Sequence, residues 1–499
     1  MGFPFVPGAN KLETAGEYDP VTLIPLDGEA TKERSMKVCV LNGSPKGAES
    51  ITVQYVKFLE AAFPAHTFVV EDIGQKIHAI ETREGEFARI TSLVSSADIV
   101  LFATPVYYLL VPAQFKRFIE LVFSRNAAAA FDKKYAATLT TSIHFFDHTA
   151  HTYLTSVAED LGMQALGSFS ANMNDLLEEK NQEALVLFGK TLFEGAAAKP
   201  TIQRHSAPLV TRDLPYRPGP IPLPQETGGK NVLILTDAAP GSNLEKMVQR
   251  AAAGFGRSAS IVSLEEARMK GGCLGCCRCA FDNTCVYEDG YTGFMKKTVL
   301  TADIILFAGT VKDRYFSAAF KQFFDRSFFL GHVPSLAGKQ VAVLAQGPYS
   351  SARPLPEVMA AYISVSGANF AGIVTDEEPE PVDSRIDSLV ATCIRLAASG
   401  YISAPQFPAI AGHKIFRDEI WGGMRAVFKA DDRYYRSHGG YDFPQSQYIR
   451  RIRTAILSLA LSIPAVQKEA KSSMKQHMIQ PFEQVFVSSP VLARLRRKE

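Results

Sequence analysis

Apolar runs of strand length alternate along this chain with stretches whose apolar positions recur at helical spacing. Met36 to Leu41 (MKVCVL) and Asn231 to Leu235 (NVLIL) are two such runs, each followed by a turn of small residues and then a helical pattern. Alternation of this kind predicts an α/β fold on a parallel sheet covered by helices on both faces. The pattern also repeats. Ala97-Asp98-Ile99-Val100-Leu101-Phe102 matches Ala302-Asp303-Ile304-Ile305-Leu306-Phe307, and the same spacing of 205 residues carries Phe115-Lys116 onto Phe320-Lys321 and Phe118 onto Phe323. Unrelated amphipathic segments share a period but not identical residue pairs at one spacing, so a whole domain is duplicated in tandem.

Seven prolines between Pro200 and Pro224, followed by Gly228 and Gly229, separate the copies with a semi-extended linker. The expected division is an N-terminal extension (1–35), a first domain (36–199), the linker (200–229), a second domain (230–400) and a mainly helical C-terminal appendage (401–499). The appendage holds the only tryptophan, Trp421, an aromatic and basic stretch at Tyr434-Tyr435-Arg436, a helix candidate near Gln447 to Ile463, and a basic end (Arg494, Arg496, Arg497, Lys498). It is expected to pack on the second domain, with a partner or membrane surface as the other use of such residues. Its most apolar run, Ala455 to Ile463, ends at Pro464 and is far shorter than the roughly 20 residues of a spanning helix, so it reads as a packed helix.

Composition narrows the class. With 46% hydrophobic and 21% charged residues the chain is an ordinary globular one. Its 53 Lys+Arg against 51 Asp+Glu advertise no nucleic-acid partner. Met1 to Asn10 lacks a basic segment followed by an apolar core, so the expected compartment is the cytoplasm. Five of the 7 cysteines fall between Cys273 and Cys285, leaving Cys39 and Cys393 elsewhere, and in a reducing compartment such a cluster points to a metal rather than to disulfides.

The turn after the first strand, Asn42-Gly43-Ser44-Pro45-Lys46-Gly47-Ala48-Glu49-Ser50-Ile51-Thr52, is hydroxyl-rich and opens a helix. Ser44, Ser50 and Thr52 can donate to a phosphate that also meets the helix's free N–H groups. Ser50 as a simple N-cap is the plainer reading. The third strand ends in Thr104-Pro105-Val106-Tyr107-Tyr108, where backbone N–H groups and aromatic side chains can receive a flat heterocycle at the carboxyl edge of the sheet. The segments LNGSPKGAESIT and ATPVYYLLVPAQFKRFIE resemble the two flavin-binding loops of the flavodoxin-like NAD(P)H-dependent FMN reductases, a doubly wound family with five parallel strands. The resemblance implies that Ser44, Lys46, Ser50 and Thr52 surround the FMN phosphate. It places Thr104, Pro105, Val106, Tyr107 and Tyr108 on the ring, joined by Ser142 from a third loop, Thr141 to His148. In that loop His144, His148 and His151, with Asp147 among them, are candidates for a metal site or, for His144 and His148, for proton donors to a substrate.

The stretch Gly271 to Cys285 contains C-x2-C-x2-C-x5-C, formed by Cys273, Cys276, Cys279 and Cys285, with Cys277 spare. One tight turn can offer three thiolates and a short loop the fourth, which suits a [4Fe–4S] cluster; zinc and no metal are the alternatives. The motif resembles that of the iron-sulfur flavoproteins, a branch of the same group. The second copy departs from a flavin site: its ring loop reads Gly309-Thr310-Val311-Lys312-Asp313-Arg314, and its phosphate loop begins with Asp237, although Gly241-Ser242-Asn243 still opens a helix. The resemblance therefore implies FMN in the first domain, the cluster in the second, and the cysteine loop beside the flavin edge of a covalent pseudo-dimer, which could associate further. The implied function is an oxidoreductase taking electrons from NAD(P)H and passing them to a small molecule or a protein. A flavin and iron-sulfur electron carrier, or a zinc-stapled pseudo-enzyme, are the alternatives.

Overall fold

The computed structural model describes residues 34–211, 214–378, 381–442 and 448–496. The expected N-terminal extension up to residue 33, and Arg497 and Lys498 of the basic end, lie outside the described residues. From Met36 onward the chain forms one unit.

The first copy carries β1 (Lys37–Asn42), α1 (Ile51–Ala62), β2 (Thr67–Glu71), α2 (Ile73–Thr82), α3 (Glu84–Ser95), β3 (Ile99–Pro105), α4 (Ala113–Ser124), β4 (Tyr135–Ser142), α5 (Asp147–Asp160), β5 (Gln164–Asn172) and α6 (Glu179–Ala198). Its five strands are parallel, in the order β2-β1-β3-β4-β5, the doubly wound flavodoxin-like arrangement. The second copy repeats it with β6 (Val232–Thr236), α7 (Asn243–Phe255), β7 (Ala259–Ser263), α8 (Tyr291–Phe294), β8 (Ile304–Lys312), β9 (Tyr315–Phe316), α9 (Ala318–Arg326), β10 (Gln340–Gln346), α10 (Leu355–Val365), β11 (Asn369–Thr375) and α11 (Val382–Ser399). Here five parallel strands run β11-β10-β8-β6-β7, and the expected count is exceeded by β9, which turns back antiparallel on β8. At the matching place the first copy has only a single bridge, Tyr107 to Leu110. Tyr315 and Phe316, which favour strand, stand where the first copy has Leu110 and Val111.

The central strands are buried on both faces, as a parallel sheet requires. The inner faces of the two sheets share one apolar cluster, which includes Phe102 and Phe115 from one copy and Phe307 and Phe320 from the other. Within it α4 packs against α9. The contacts across this seam are reciprocal at the 205-residue spacing. Lys116 Nζ donates to Lys312 O (2.9 Å) and Lys321 Nζ to Tyr107 O (2.8 Å). Ala318 N donates to Glu120 Oε1 (2.7 Å) and Ala113 N to Asp325 Oδ2 (2.8 Å). Each carboxylate thus satisfies an orphan N–H at the start of the opposite helix, near its positive dipole end, and also pairs with the lysine one turn back on its own helix. The same surface meets its own copy, which is the geometry of a two-fold dimer interface held within one chain.

The C-terminal region comprises α12 (Phe407–Gly422), α13 (Lys429–Ser437), α14 (Tyr448–Ala460), α15 (Pro464–Ser488) and α16 (Pro490–Arg496). Only its first part follows the expectation of packing on the second copy: α12 lies on α10, and Tyr435 Oη donates to His332 O (2.7 Å). Phe482 and Val485 of α15 and Val491 and Leu492 of α16 instead enter the outer core of the first copy, with Tyr55, Phe58 and Phe193. Arg494 of the basic end pairs there with Glu179 (2.8 Å) and Glu183 (2.6 Å). The Ala455 to Ile463 run packs only in part: Leu461 is buried beside Phe281 and Ala426, but α14 itself has no buried residue, and Arg451 and Thr454 bond it to the end of α12. No helix among the described residues is long and apolar enough to cross a membrane.

Candidate functional site

The loop after β1 is shaped by Asn42. Its carboxamide donates to Gly47 O (3.2 Å) and Asp72 Oδ1 (2.8 Å) and accepts from Ser44 N (3.0 Å). Ser44 Oγ accepts from Lys46 N (3.2 Å), and Ser50 caps α1 by accepting from Thr52 N (3.2 Å). The Thr52 hydroxyl meets that of Thr141 from β4 at 2.6 Å. Ser44, Ser50 and Thr52 are therefore gathered, buried, around the N-terminal end of α1. Ser50 does serve as a helix cap, but a plain cap leaves Lys46 unexplained. Lys46 is 8% exposed, and the hydrogen-bond partner of its ammonium among the described residues is Met478 Sδ at 3.5 Å. A buried ammonium without an anion is costly, and a phosphate at this helix end fits the need.

The ring loop follows β3. Thr104 is buried, Val106 N donates to Thr141 O (3.1 Å), and Tyr107 N accepts its place in a tight turn by donating to Leu110 O (2.7 Å). Tyr108 and Leu109 adopt left-handed φ values of 40° and 66°, and Asp313 and Arg314 repeat them at 46° and 68° in the second copy. Such backbone costs about 1 kcal/mol or more per residue, so its retention in both copies marks a constrained loop. Tyr107 points toward the cysteine loop, whereas the Tyr108 ring turns into the second copy against Tyr362, with centroids 6.1 Å apart. Tyr108 thus offers the site its backbone and spends its side chain in the seam.

The cysteine loop lies against the first copy at Lys46, Tyr107 and Gln114. Gln114 Nε2 donates to Cys273 O (3.0 Å). A Cβ added to Gly275, which sits at φ +59°, would lie 1.7 Å from the Tyr107 hydroxyl and 3.2 Å from Lys46 Cε. Only glycine permits that approach. The base of the loop is clamped by Arg326, whose Nη1 donates to Gly271 O (3.0 Å) and Asp289 Oδ2 (2.8 Å), and by Tyr287 Oη, which donates to Gly272 O (3.3 Å). Cys273, Cys276, Cys277, Cys279 and Cys285 are all free thiols. Burial raises the pKa of Cys273, Cys277 and Cys279, with Lys46 opposing the rise at Cys277. Among the described residues no three His, Cys, Asp or Glu side chains converge closely enough to hold a metal ion. The donor set, four sheltered thiols in one loop, nevertheless suits a thiophilic group.

One contributor escaped the sequence. Helix α15 runs across both loops: Lys471 Nζ pairs with Asp282 (2.7 Å) and lies over the Phe281 ring (5.6 Å), Lys475 pairs with Glu49 (3.5 Å), and Met478 touches Lys46. Lys471, Lys475 and Met478 share one helical face, a signal the sequence does contain, but nothing in it says which loops that face meets.

The histidines of the third loop do not converge. His144 Nδ1 bonds Asp147 (3.0 Å), His148 Nε2 bonds Glu357 of the second copy (2.7 Å), and His151 Nε2 bonds Thr140 (2.6 Å). Ser142 Oγ accepts from His144 N (2.9 Å). Burial lowers the pKa of His151.

In the second copy the matching positions are filled from within. Asp237 accepts from Thr310 N (2.9 Å) and from the Ser317 hydroxyl, and burial raises its pKa. Gln346 Oε1 takes the N–H of Leu244 (2.9 Å), and Ser242 and Glu245 take two more donors at the start of α7. A cavity of about 780 Å³ remains beside this ring loop, lined by Arg117, Thr310, Lys312 and Gln346 and by Pro208 and Leu209 of the linker.

A family model described as NADPH-dependent FMN reductase matches residues 36–175 and 230–382, once in each copy and over more than half of the chain. Among solved structures, the flavoenzyme NAD(P)H:(acceptor) oxidoreductase FerB from Paracoccus denitrificans is 18% identical, with a TM-score of 0.27, covering 33% of this chain and 98% of its own. The WrbA-like flavodoxin from Agrobacterium tumefaciens is 19% identical, with a TM-score of 0.26 and coverage of 33% and 100%. The NAD(P)H:quinone oxidoreductase from Methanothermobacter marburgensis is 15% identical, with a TM-score of 0.24 and coverage of 34% and 100%. No curated protein matches the chain.

Proposed function

The chain belongs to the NADPH-dependent FMN reductase family and is an NAD(P)H-dependent FMN oxidoreductase, and from that premise we propose that it binds FMN in the first copy alone, beside a [4Fe–4S] cluster held by the second. The observation that carries this reading is Lys46. It is a buried ammonium that ends between the hydroxyl-lined start of α1 and the cysteine loop, with a thioether as its partner. In this reading Ser44, Ser50 and Thr52 join Lys46 on the phosphate, and the backbone of Thr104 to Tyr108, with Ser142, lines the ring. Cys273, Cys276, Cys279 and Cys285 are the thiolates for the cluster. The filled α7 terminus and the Asp237 carboxylate support a single flavin per chain, since both occupy places a second phosphate would need.

When bound, FMN exchanges electrons in pairs with NAD(P)H and singly with a cluster, so together they connect a hydride donor to a one-electron acceptor. The protein's part is placement. Gly275 lets the cysteine loop reach the Tyr107 hydroxyl, Arg326 and Asp289 hold that loop at its base, and α15 shelters Lys46 from water. His144 and His148, oriented by Asp147 and Glu357, are the side chains assigned to protonate a small-molecule acceptor.

Chemical analysis of protein prepared without oxygen tests the reading. One FMN with four irons and four sulfides per chain is the expected result, and rapid mixing with NADH or NADPH should bleach the flavin. Stoichiometric zinc without iron, or a colourless folded protein, overturns the cofactor assignment; a coloured protein that no nicotinamide bleaches is a carrier instead.

A further inference from the structure

Helix α14 is the only α-helix among the described residues with no buried residue. Its exposure is patterned. Ile449 (72% exposed), Ile452 (63%), Ile456 (66%) and Leu459 (74%) follow one another at spacings of three and four. These positions fall on one side of a helix, while Arg451 and Thr454 on the opposite side bond Trp421 O (3.0 Å) and Gly422 O (3.3 Å) and fix the helix to the body. The apolar row therefore faces outward by construction. A contiguous row of large aliphatic side chains in water is unfavourable and marks a surface that is covered in use.

Charge selects the cover. No acidic residue lies between Asp442 and Glu469, whereas Arg450, Arg451, Arg453 and Lys468 do. Arg450 and Arg453 are exposed, and at about 100° per residue Arg453 flanks the apolar row, where its stem can lie along a nonpolar layer with its head at the edge. Tyr448, exposed at the start of the helix, is the residue type that settles at a lipid–water boundary. Pairing with a second copy would set this acid-free, arginine-bearing surface against itself. One face of a helix about 20 Å long and about 10 Å wide is roughly 200 Å², far less than the roughly 800 Å² per partner of a stable interface. Spanning is excluded by length. We propose that α14 lies in the plane of an anionic membrane surface, its isoleucine row in the acyl boundary and Arg453 among the headgroups. The proposal stands apart from the cofactor reading, although Leu461, just past α14, shares an apolar cluster with Phe281 of the cysteine loop.

Flotation of the full-length protein with phospholipid vesicles tests it. The chain should float with phosphatidylcholine vesicles containing about one-third phosphatidylglycerol and bind pure phosphatidylcholine several-fold more weakly. Arg453→Ala should weaken binding about five-fold, and raised salt should do the same. The double variant Ile452→Glu, Leu459→Glu should abolish flotation while its circular dichroism, melting temperature and flavin content match those of the wild type, because both side chains are exposed. Equal binding of wild type and double variant, equal binding to neutral vesicles, or failure of the wild type to float overturns the proposal. So does a wild-type dimer in sedimentation that the double variant converts to monomer, which would assign the face to a second copy.

Discussion

Glu120 and Asp325 occupy the same place in the two copies and accept from the same backbone donor, yet their surroundings push them in opposite directions. Burial alone would raise Glu120, but Lys116, the Ala318 N–H and Arg117 together hold it below the usual carboxylate range. Burial pushes Asp325 up to about 6, because only Lys321 and one N–H oppose it. Two differences contribute: Asp325 is the more deeply buried, and the position of Arg117 is occupied by Gln322 in the second copy. A homodimer must carry any change on both sides of its axis, whereas a tandem chain can carry it on one. The same licence explains how one copy carries a hydroxyl-lined loop after its first strand while the other fills the matching place with Asp237 and carries a cysteine loop.

The largest expected effect is on the seam. Asp325→Ala leaves Lys321 buried with no other carboxylate partner among the described residues, and should cost about 3–5 kcal/mol in denaturant unfolding. Glu120→Ala should cost less, since Lys116 retains Asp313 at 3.8 Å. Equal losses would mean that the two sides are energetically alike and the asymmetry is only geometric.

Next comes the ligand contrast. Lys46→Met should weaken FMN binding about 10- to 100-fold by fluorescence titration, the loss of one charge-assisted phosphate contact. Asp237→Asn should leave FMN at one per chain; a rise to two would show that the acidic residue alone closes the second loop.

Gly275→Ala probes the meeting of the copies and should destabilise the cysteine loop by about 1–3 kcal/mol through its positive φ and its collision with Tyr107. Tyr107→Ala in the same chain should recover the steric part, read as iron content and melting temperature. Recovery to full wild-type values would mean that the backbone angle carries no cost.

The smallest effect is in the pH profile. The folded pKa of Asp325 lies above its unfolded value of about 3.9, so ionisation of this group costs stability as pH rises from about 4 to 6. Glu120 has the opposite sign: its contribution is present above about pH 4.5 and is lost as pH falls through its lowered folded value. Asp325→Asn should therefore flatten the melting profile between about pH 4 and 6 by a few degrees, and Glu120→Gln should flatten it only below about 4.5. A shared profile would erase the distinction between the two carboxylates.

The duplication and the parallel α/β sheets were legible in the sequence because each rests on local pattern: buried parallel strands read as unbroken apolar runs, and identical residue pairs recur at one spacing. The seam was half legible. The Phe115-Lys116 and Phe320-Lys321 pairs revealed the duplication, but that their ammonium groups cross to opposite carbonyls depends on how two helices dock. The reach of α15 was not legible, since Lys471, Lys475 and Met478 make an ordinary helical face until the fold supplies Asp282, Glu49 and Lys46. Nor was the exposure of α14, because an amphipathic period looks the same whether its apolar side is covered or bare.

The position of α15 near the end of the chain has a consequence for biogenesis. Both copies are complete by about Gly400, while residues 464–488 are still to be made. Domains form as they leave the ribosome, N-terminal first. The first copy's loops and the cysteine loop therefore emerge before the helix that crosses them, and under the proposed cofactor reading the order of synthesis becomes an order of loading, with α15 closing over groups already in place.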